Sequence, residues 1–287
     1  MISQDTNSVI NTITTGSGPF GISYSPDSTL AYVAVEDTNS VAVISTATDS
    51  VVSTIAVGNS PRGIVVSPDG NRLYVSNYGS GTISVINASD TSHYTVMKTI
   101  SGLSNPFEIC IRPDGNRLFV SSYQNNYVYV INTTNDNGTV IASLSCNRPY
   151  FISLDSTGTR LFVANYNGNS IQVYNTGSLS LLSTISTASG PLSPIISPDG
   201  TRLYYVTDGN NMLSIAYANN YTVIKTVTCG SGVRGIACSP DGSKVYVTNM
   251  YDSTVSVLDV TNDSGTIIKT VSVGSYPYGL EKFAGNY

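Results

Sequence analysis

Histidine and tryptophan are nearly missing from this 287-residue chain, which holds one histidine, His93, and no tryptophan. A single histidine therefore leaves little scope for a Ser-His-Asp or Cys-His catalytic site. The four cysteines show no CxxC or CxxH spacing, so a metal site built from nitrogen and sulfur is not expected. Their scattered positions predict free, mostly buried thiols. We assign no catalytic residue, no metal and no cofactor.

Charged residues and long apolar runs are also scarce. Charged side chains make up 11% of the chain, and the net charge is −5. No basic stripe is present to neutralise phosphates, which argues against nucleic-acid binding. No apolar run approaches the roughly 18 residues of a membrane span, so the sequence predicts no transmembrane segment.

One phrase recurs along the chain. Each copy runs through Ser-Pro-Asp-Gly and Leu-Tyr-Val-x-Asn and closes with Val-x-x-Thr-Ile-x-Val-Gly, with small variations. The residues that open the copies, 42 to 45 positions apart, are Pro19, Pro61, Pro106, Pro149, Pro191, Val233 and Pro277. A fixed period of this length is typical of repeat architectures, in which each unit buries its apolar faces against its neighbours.

Within one copy the pattern predicts four strands. In the copy that opens at Pro61, the apolar runs are 64–66, 73–77, 83–86 and 96–100, each bounded by turn-forming residues. Such runs form an antiparallel meander, and no stretch keeps the period of an α-helix. Four strands in a unit of about 40 residues make one blade of a β-propeller. The predicted fold class is therefore an all-β propeller of four-stranded antiparallel blades.

The repeat words also resemble those of a known family. Leu-Tyr-Val-Ser-Asn (73–77), Leu-Phe-Val-Ala-Asn (161–165), Val-Tyr-Val-Thr-Asn (245–249) and the closing strand 51–58 resemble the YVTN family of β-propeller repeats. This family is known from archaeal and bacterial surface-layer proteins, and the resemblance covers essentially the whole chain. It implies the propeller fold and an extracellular or cell-surface location. Related propellers include lactonases and lyases.

The whole chain, 1–287, is predicted to be a single, most simply seven-bladed, propeller domain. Six complete blades extend from 19 to 274, and a seventh would be built incompletely from 1–16 and 277–287. Residues 9–16 align with the last strand of a blade, but no middle strands accompany them. We expect that the chain is a fragment of a longer protein. The alternative is a thin seventh blade whose open edges invite self-association.

Side chains that vary while the scaffold repeats are the candidates for binding, because loops at one face of a propeller surround its channel. The position after each opening residue holds Phe20, Arg62, Phe107, Tyr150, Leu192, Arg234 and Tyr278. The loop after each second strand holds Glu36, Tyr78, Tyr123, Tyr166, Asp208 and Met250. Rings stack on sugars or peptide side chains, and arginine pairs with carboxylates. The predicted channel-face site is Arg62, Tyr78, Phe107, Glu108, Tyr123, Arg148, Tyr150, Tyr166 and Arg234.

Other interpretations of these residues stay open. Tyrosine occurs 20 times, so some rings cluster by chance, and aromatic side chains can also simply fill a wide ring centre. Glu108 stands where other copies have glycine, and its carboxylate is a channel ligand, a general base or the partner of an arginine. The carboxylates of the Pro-Asp turns are predicted to cap backbone N–H groups. They are Asp27, Asp69, Asp114, Asp199 and Asp241.

Two functions fit these features. The first is a non-enzymatic cell-surface or surface-layer module, a rigid scaffold that contacts other cell-surface proteins or glycans. The second is a propeller enzyme of lactonase or lyase type with a metal or substrate on the channel face. Such an enzyme needs several carboxylates or histidines to converge, and the sequence offers Glu108 there and no histidine. We therefore predict the non-enzymatic module.

Overall fold

The computed structural model describes residues 1–134 and 138–279. The chain divides into two compact units, 13–152 and 1–12 together with 153–287. The described residues contain six four-stranded antiparallel sheets, each a meander whose strands follow one another in chain order. The all-β class and the four-strand unit predicted from the repeat are thus confirmed.

Three of the sheets lie between residues 19 and 145, and each corresponds to one copy of the repeat. Their strands are β1 (Pro19–Tyr24), β2 (Leu30–Val35), β3 (Ser40–Ser45), β4 (Ser50–Ala56), β5 (Pro61–Val66), β6 (Arg72–Asn77), β7 (Thr82–Asn87), β8 (Thr95–Ile100), β9 (Pro106–Ile111), β10 (Arg117–Ser122), β11 (Tyr127–Asn132) and β12 (Thr139–Ser145).

The other three sheets follow the same plan. Their strands are β13 (Pro149–Leu154), β14 (Arg160–Asn165), β15 (Ser170–Asn175), β16 (Leu181–Ser186), β17 (Pro191–Ile196), β18 (Arg202–Thr207), β19 (Met212–Tyr217), β20 (Val223–Thr228), β21 (Val233–Cys238), β22 (Lys244–Asn249), β23 (Thr254–Asp259) and β24 (Thr266–Ser272). Short 3₁₀ turns are present at Glu36–Thr38 and Thr261–Asp263. No helix in the described ranges has the length and apolarity needed to cross a bilayer.

The core lies between neighbouring sheets of the repeat. The middle strands are buried and apolar on both faces: in β6, Tyr74 faces one neighbouring sheet, and the fully buried Leu73 and Val75 face the other. The latter two side chains pack against Val41 and Val43 from the preceding sheet in one cluster. Continuous rather than alternating apolar runs are expected for strands that are covered on both sides. Each copy therefore depends on its neighbour to bury its apolar surface.

The Pro-Asp turns behave as the sequence predicts. Asp69 accepts a hydrogen bond from the Ser67 hydroxyl and another from the Asn71 backbone N–H. The corresponding carboxylates accept a backbone N–H two residues later, in the turns of Asp27, Asp114, Asp199 and Asp241. Capping of the backbone by these carboxylates is confirmed.

The innermost strands of consecutive sheets approach each other closely. A Cβ atom on Gly21 would lie 2.3 Å from the Arg62 carbonyl oxygen, and one on Gly63 would lie 2.5 Å from the Phe107 carbonyl oxygen. Ser76, fully buried in β6, bridges this contact. Its hydroxyl accepts the Gly63 N–H at 2.8 Å and donates to the Phe107 carbonyl at 2.5 Å. We call this arrangement the hydroxyl clamp.

The hydroxyl clamp recurs along the chain, sometimes from a different strand. Ser121 joins Glu108 to Tyr150 in the same way. In β18 the clamp position holds Val206, and Ser193 on the adjacent strand β17 instead donates to the Arg234 carbonyl at 2.7 Å. A hydroxyl lost from one strand is thus supplied by its neighbour. This exchange keeps a buried carbonyl paired.

The termini differ from the predicted seventh blade. Residues 10–16 form no strand; beside them lie an isolated bridge between Ile2 and Val9 and a hydrogen bond from the Ile10 N–H to the Met1 carbonyl. A last strand requires a third strand as its hydrogen-bond partner, and the sequence offers none there. At the other end, Thr248 Oγ1 donates to the Tyr278 carbonyl at 3.1 Å, so Tyr278 takes the place of a first strand in the clamp. Residues 280–287 lie outside the described residues.

Every outermost strand carries a β-bulge at the same repeat position. In β4, Ser53 pairs with Val43 and Val51 pairs with Ile44, so Val52 is the extra residue. The same shift places an extra residue at Met97, Ile141, Leu182, Ile224 and Ile268. A bulge bends the strand and interrupts its ladder. Apart from the half-buried Ile224, the paired apolar side chains at these sites are exposed; Val51 is 37% and Val52 56% exposed.

Substitution of the clamp hydroxyl tests its contribution. We expect Ser76→Ala to lower the free energy of unfolding by about 1–3 kcal/mol, because the Gly63 N–H and Phe107 carbonyl then lose a buried partner. Alanine fits sterically, since Ala34 occupies the same repeat position. Urea unfolding measures the change, and Ser143→Ala at an exposed site in β12 is the control. Equal losses in the two variants would contradict the clamp.

The Pro-Asp turns predict an acid-sensitive stability. The hydroxyl of Ser67 holds the pKa of Asp69 below its ordinary value, and Ser197 does the same for Asp199. Because the folded-state pKa lies below the unfolded value of about 3.9, this stabilisation is complete above that pH and lost as the pH falls through the folded-state pKa. Urea midpoints at about pH 5 and about pH 3 measure the loss.

The matched variant for this pH effect is Ser67→Ala combined with Ser197→Ala. Without the two hydroxyl donors the carboxylate pKa values move back towards the unfolded value, so the variant should lose less stability than the wild type over the same interval. A variant whose midpoint falls by as much as the wild type's would rule out this origin of the acid sensitivity.

Candidate functional site

The fold brings together two repeat positions that are distant in the sequence. The residue after the opening position of one copy meets the loop residue that follows the second strand of the preceding copy. Arg62 thereby meets Glu36, and Arg234 meets Asp208. In both pairs the carboxylate precedes the arginine by 26 residues. The same backbone geometry therefore produces an ion pair twice.

The Arg62–Glu36 pair is held from both sides. Glu36 begins a 3₁₀ turn, and its backbone N–H donates to the Gly18 carbonyl at 2.8 Å. The Arg62 Nε and Nη2 groups both donate to Glu36 Oε1, at 3.1 and 2.7 Å. The two side chains are 21% and 25% exposed, so the pair is open to water. Because both donors use one oxygen, Glu36 Oε2 and Arg62 Nη1 lie outside these two bonds.

Three aromatic rings surround the Arg62 guanidinium. Its Cζ atom lies 4.0 Å from the centre of the Tyr78 ring and 5.2 Å from the centres of the Phe20 and Phe107 rings. A guanidinium within about 6 Å of ring faces is attracted by the ring quadrupoles. The rings also keep the arginine in one position. Arg62 is thus fixed by a carboxylate at one end and by aromatic faces along its side.

Phe107 joins this group to a second aromatic group. Its ring centre lies 4.3 Å from that of Tyr150, and Tyr150 lies 5.0 Å from Tyr123 in an edge-to-face arrangement. Phe107 is 1% exposed, so a ligand arriving from solvent would meet Tyr78, Tyr150 and Arg62 before Phe107. The connected set is named here the aromatic–arginine surface. It consists of Phe20, Arg62, Tyr78, Phe107, Tyr123, Arg148 and Tyr150.

Arg148 is held at the edge of the aromatic–arginine surface in an unusual backbone conformation. Its φ is +52°, and the same repeat position holds Gly18, Gly190 and Gly232 in other copies. A left-handed conformation costs a side-chain-bearing residue roughly 1–2 kcal/mol. The Arg148 backbone N–H donates to Asn126 Oδ1 at 2.9 Å, which supports the turn. The guanidinium lies over the Tyr123 ring and donates to its hydroxyl. Ser60, Asn105 and Tyr276 adopt the same conformation at this repeat position, so it belongs to the turn of the repeat.

The second ion pair lies in the unit that contains residues 153–287. Arg234 Nη1 is 2.6 Å from Asp208 Oδ2, and the Tyr166 hydroxyl donates to the same oxygen at 2.8 Å. Burial of Arg234 disfavours its charged form, but the hydrogen bond that it donates to Asp208 outweighs this and holds the pKa of Arg234 above its ordinary value. Gly190 allows the close packing, because a Cβ there would lie 3.0 Å from the Tyr166 ring.

The structure therefore separates the predicted site residues into groups. Arg62, Tyr78, Phe107, Tyr123, Arg148 and Tyr150 lie together in the aromatic–arginine surface. Tyr166 and Arg234 meet through Asp208. The Glu108 backbone N–H donates to the Ser121 clamp, and its Oε1 accepts the N–H of Ile109, so this carboxylate bonds to its own strand. This local contact was not among the sequence alternatives for Glu108, which stay predictions.

Sequence reasoning did not select Glu36 and Asp208 as site residues. Both appear at the loop position of the repeat, and the signal that identifies them is a carboxylate 26 residues before an arginine at the next opening position. Gln124 was also missed. Its amide donates to the Tyr78 hydroxyl at 2.8 Å and so orients that ring over Arg62. A side-chain contact between neighbouring copies gives no periodic signal of its own.

The cysteines take no part in these groups. None of the four thiols forms a disulfide; Cys238 is buried and the other three are half-buried. Burial raises the pKa of the Cys229 thiol to about 11 and that of Cys238 to about 12. Both are therefore protonated at neutral pH and act as small apolar side chains. Within residues 1–134 and 138–279, no three His, Cys, Asp or Glu side chains converge as metal ligands do.

Neutralising the carboxylate should destabilise the protein by different amounts in the two ion pairs. Asp208→Asn should lower the free energy of unfolding by about 2–3 kcal/mol, since it leaves the mostly buried Arg234 charge without its partner. Glu36→Gln should cost about 1 kcal/mol or less, because solvent screens the more exposed pair. The Arg234 and Asp208 side chains are 12% and 15% exposed, whereas those of Arg62 and Glu36 are 21% and 25% exposed. Equal losses of stability in urea unfolding would contradict this ranking.

Comparison with known proteins identifies the family. The model of the family described as "Lactonase, 7-bladed beta-propeller" matches residues 3–144 and 90–286. Among solved structures, hydrazine synthase of Kuenenia stuttgartiensis is 20% identical, with a TM-score of 0.81 over 94% of this chain and 90% of that one.

A functionally unknown protein from Desulfotomaculum acetoxidans DSM 771 is also 20% identical, with a TM-score of 0.83 over 97% of this chain and 93% of that one. At this identity the likeness shows the fold alone. No curated protein matches the sequence. The family has seven blades, and the described residues of this chain form six four-stranded sheets. The chain is an all-β propeller of four-stranded antiparallel blades and belongs to the lactonase family of β-propellers.

Proposed function

We propose that this protein is an enzyme of the lactonase kind, which opens a cyclic ester at the Arg62–Glu36 pair. Membership of the lactonase family supports this class of reaction. The single observation that carries the site is a partly exposed carboxylate–arginine pair that lies against aromatic rings. This reverses the non-enzymatic module favoured by the sequence, which took no account of Glu36.

The pair supplies the two groups that ester hydrolysis needs. Glu36 Oε2 accepts a proton from water while the water oxygen bonds to the ester carbonyl carbon. The resulting oxyanion is stabilised by the Arg62 guanidinium, whose Nη1 makes no bond to Glu36. Collapse of the intermediate then breaks the ring C–O bond, and the proton on Glu36 passes to the departing alkoxide. One lactone and one water give one hydroxy acid.

The aromatic rings have a separate role in this proposal. Tyr78 and Tyr150 present partly exposed rings beside the pair, and Gln124 fixes Tyr78 by its hydrogen bond. Ring faces bind the apolar side of a cyclic substrate and hold its carbonyl near Arg62. Positioning of this kind lowers the barrier by removing the entropy cost of bringing the reactants together.

A second candidate function is a non-enzymatic scaffold of the YVTN surface-layer kind, at the cell surface or outside the cell. The observation in its favour is the row of exposed aliphatic pairs at the bulges of the outermost strands. Repeated apolar side chains on an accessible edge suit contact with other surface proteins. The aromatic–arginine surface would then bind a glycan or a peptide side chain in place of a substrate.

Acid release from lactones tests the enzyme. We expect the purified chain to hydrolyse at least one of γ-butyrolactone, δ-valerolactone and glucono-δ-lactone, followed with a pH indicator. Glu36→Gln should lower kcat/KM by about 10²- to 10⁴-fold, the usual contribution of a general base. The matched control is Asp37→Asn, the next carboxylate in the same 3₁₀ turn, which bonds to Ser17.

Two outcomes would contradict parts of the proposal. Turnover that survives Glu36→Gln unchanged would remove Glu36 as the base while leaving the family activity. No acid release from any of the lactones by the folded wild type would count against the enzyme and favour the scaffold. In that case immobilised chain should retain cell-surface proteins through the bulged edge, and Leu181→Ser with Leu182→Ser should abolish that retention.

A further inference from the structure

A second candidate site lies in the unit 13–152, at the opposite end of the same strands from the aromatic–arginine surface. Arg62 stands at the start of β5, whereas this groove begins at the turn that follows β5. Two Pro-Asp turns, 68–72 and 113–117, form most of its walls. Its volume is about 780 Å³, which is within the range of small-molecule sites.

The two turns that line the groove share a sequence that the other turns lack. Both read Pro-Asp-Gly-Asn-Arg, at 68–72 and 113–117. At the position of Asn71 and Asn116, the remaining copies have Thr29, Thr159, Thr201 and Ser243. Threonine and serine are therefore sufficient for the turn itself. The amide occurs only in the two neighbouring turns that face one groove, which points to a use outside the turn.

The contacts of the two asparagines differ. The Asn71 amide donates to Asp69 Oδ2 at 2.9 Å, so its direction is fixed by the turn. Asn116 is exposed, and its backbone N–H, rather than its amide, bonds to Asp114 at 3.0 Å. Its side-chain amide makes no hydrogen bond within the described residues. The groove thus presents one oriented amide and one that can turn towards a ligand.

We infer that this groove binds a neutral oligosaccharide. Its lining combines the carboxylates of Asp69 and Asp114, the amides of Asn71 and Asn116, and the hydroxyls of Ser89 and Thr134. Carboxylates accept from sugar hydroxyls, and an amide both donates and accepts, which matches neighbouring hydroxyls on one ring. Pro68 and Pro113 add apolar faces for the C–H side of a sugar.

The charges of the groove favour an uncharged ligand. Asp69, Asp114 and Arg72 line it, and Arg112 Nη2 lies 3.1 Å from Asp114 Oδ2, so the charges balance and favour neither an anion nor a cation. The hydrogen bond from Ser67 keeps the pKa of Asp69 low, so this group remains a pure acceptor at neutral pH. An apolar peptide would displace water from these polar side chains without replacing its hydrogen bonds. A polyhydroxyl compound satisfies them.

Binding of defined sugars to the whole chain tests the inference. We expect maltotriose, cellotriose or triacetylchitotriose to bind with a dissociation constant on the order of 1 mM, since water competes in an open polar groove. Titration calorimetry or ligand-observed NMR measures it. Glucose should bind at least about tenfold more weakly, because one ring cannot reach both turns. Asn71→Thr with Asn116→Thr should weaken trisaccharide binding about tenfold or more.

The double threonine variant is expected to fold, because threonine fills the same position in three other copies. Tyr78→Ala serves as the control for the aromatic–arginine surface and should leave trisaccharide binding unchanged. Three results would overturn the inference: no trisaccharide bound by the wild type, binding that survives the double variant, or binding lost in Tyr78→Ala. The last would place the sugar on the aromatic–arginine surface. None of these results depends on lactone hydrolysis, so the two proposals fail separately.

Discussion

The close approach of the innermost strands is the constraint on which the rest of the molecule depends. At Gly21 and Gly63 the next backbone lies where a Cβ would stand, so glycine is the residue that fits. Carbonyl and N–H groups brought so close need a partner, and the hydroxyl clamp supplies it. Where β18 carries Val206 in place of the hydroxyl, Ser193 provides one from the adjacent strand. Copies therefore supply the hydroxyl from different strands, and β2, with Ala34 at the clamp position, supplies none.

This constraint also determines where chemistry can be placed. The residue after the opening position gives the clamp only its backbone carbonyl, as Phe107 and Arg234 do, so its side chain is open to variation. Arginine there reaches the loop of the preceding copy and finds Glu36 in one unit and Asp208 in the other. The two pairs differ mainly in their exposure to water. The more exposed pair, with partly exposed rings beside it, is the one that suits a reacting group.

Much of the architecture follows from the sequence, because strand pattern, turn residues and repeat length agree with one another. The strands around Ile64, Leu73 and Ile83 and the capping by Asp69 were predicted at nearly their observed places. Residues 10–16 have the pattern of a last strand but form none, since a strand needs a hydrogen-bonded partner.

The site was predicted only in part. The periodic position selected Arg62, Tyr78 and Tyr150, which do lie together. It did not reveal that Glu36 holds Arg62 or that Glu108 turns back to its own strand, because these depend on side-chain directions that alternate residue by residue. Contacts between copies depend on loop geometry, which differs from copy to copy and is not visible in the repeat pattern.

The bulges of the outermost strands have a consequence for how this protein meets other chains. An unbroken edge strand offers a row of backbone groups to which any extended segment can add. Here Val52, Met97 and their equivalents interrupt that row at the centre of every edge. A partner must therefore recognise side chains rather than extend a ladder. This makes fibril growth unfavourable and leaves recognition to shape and apolar fit.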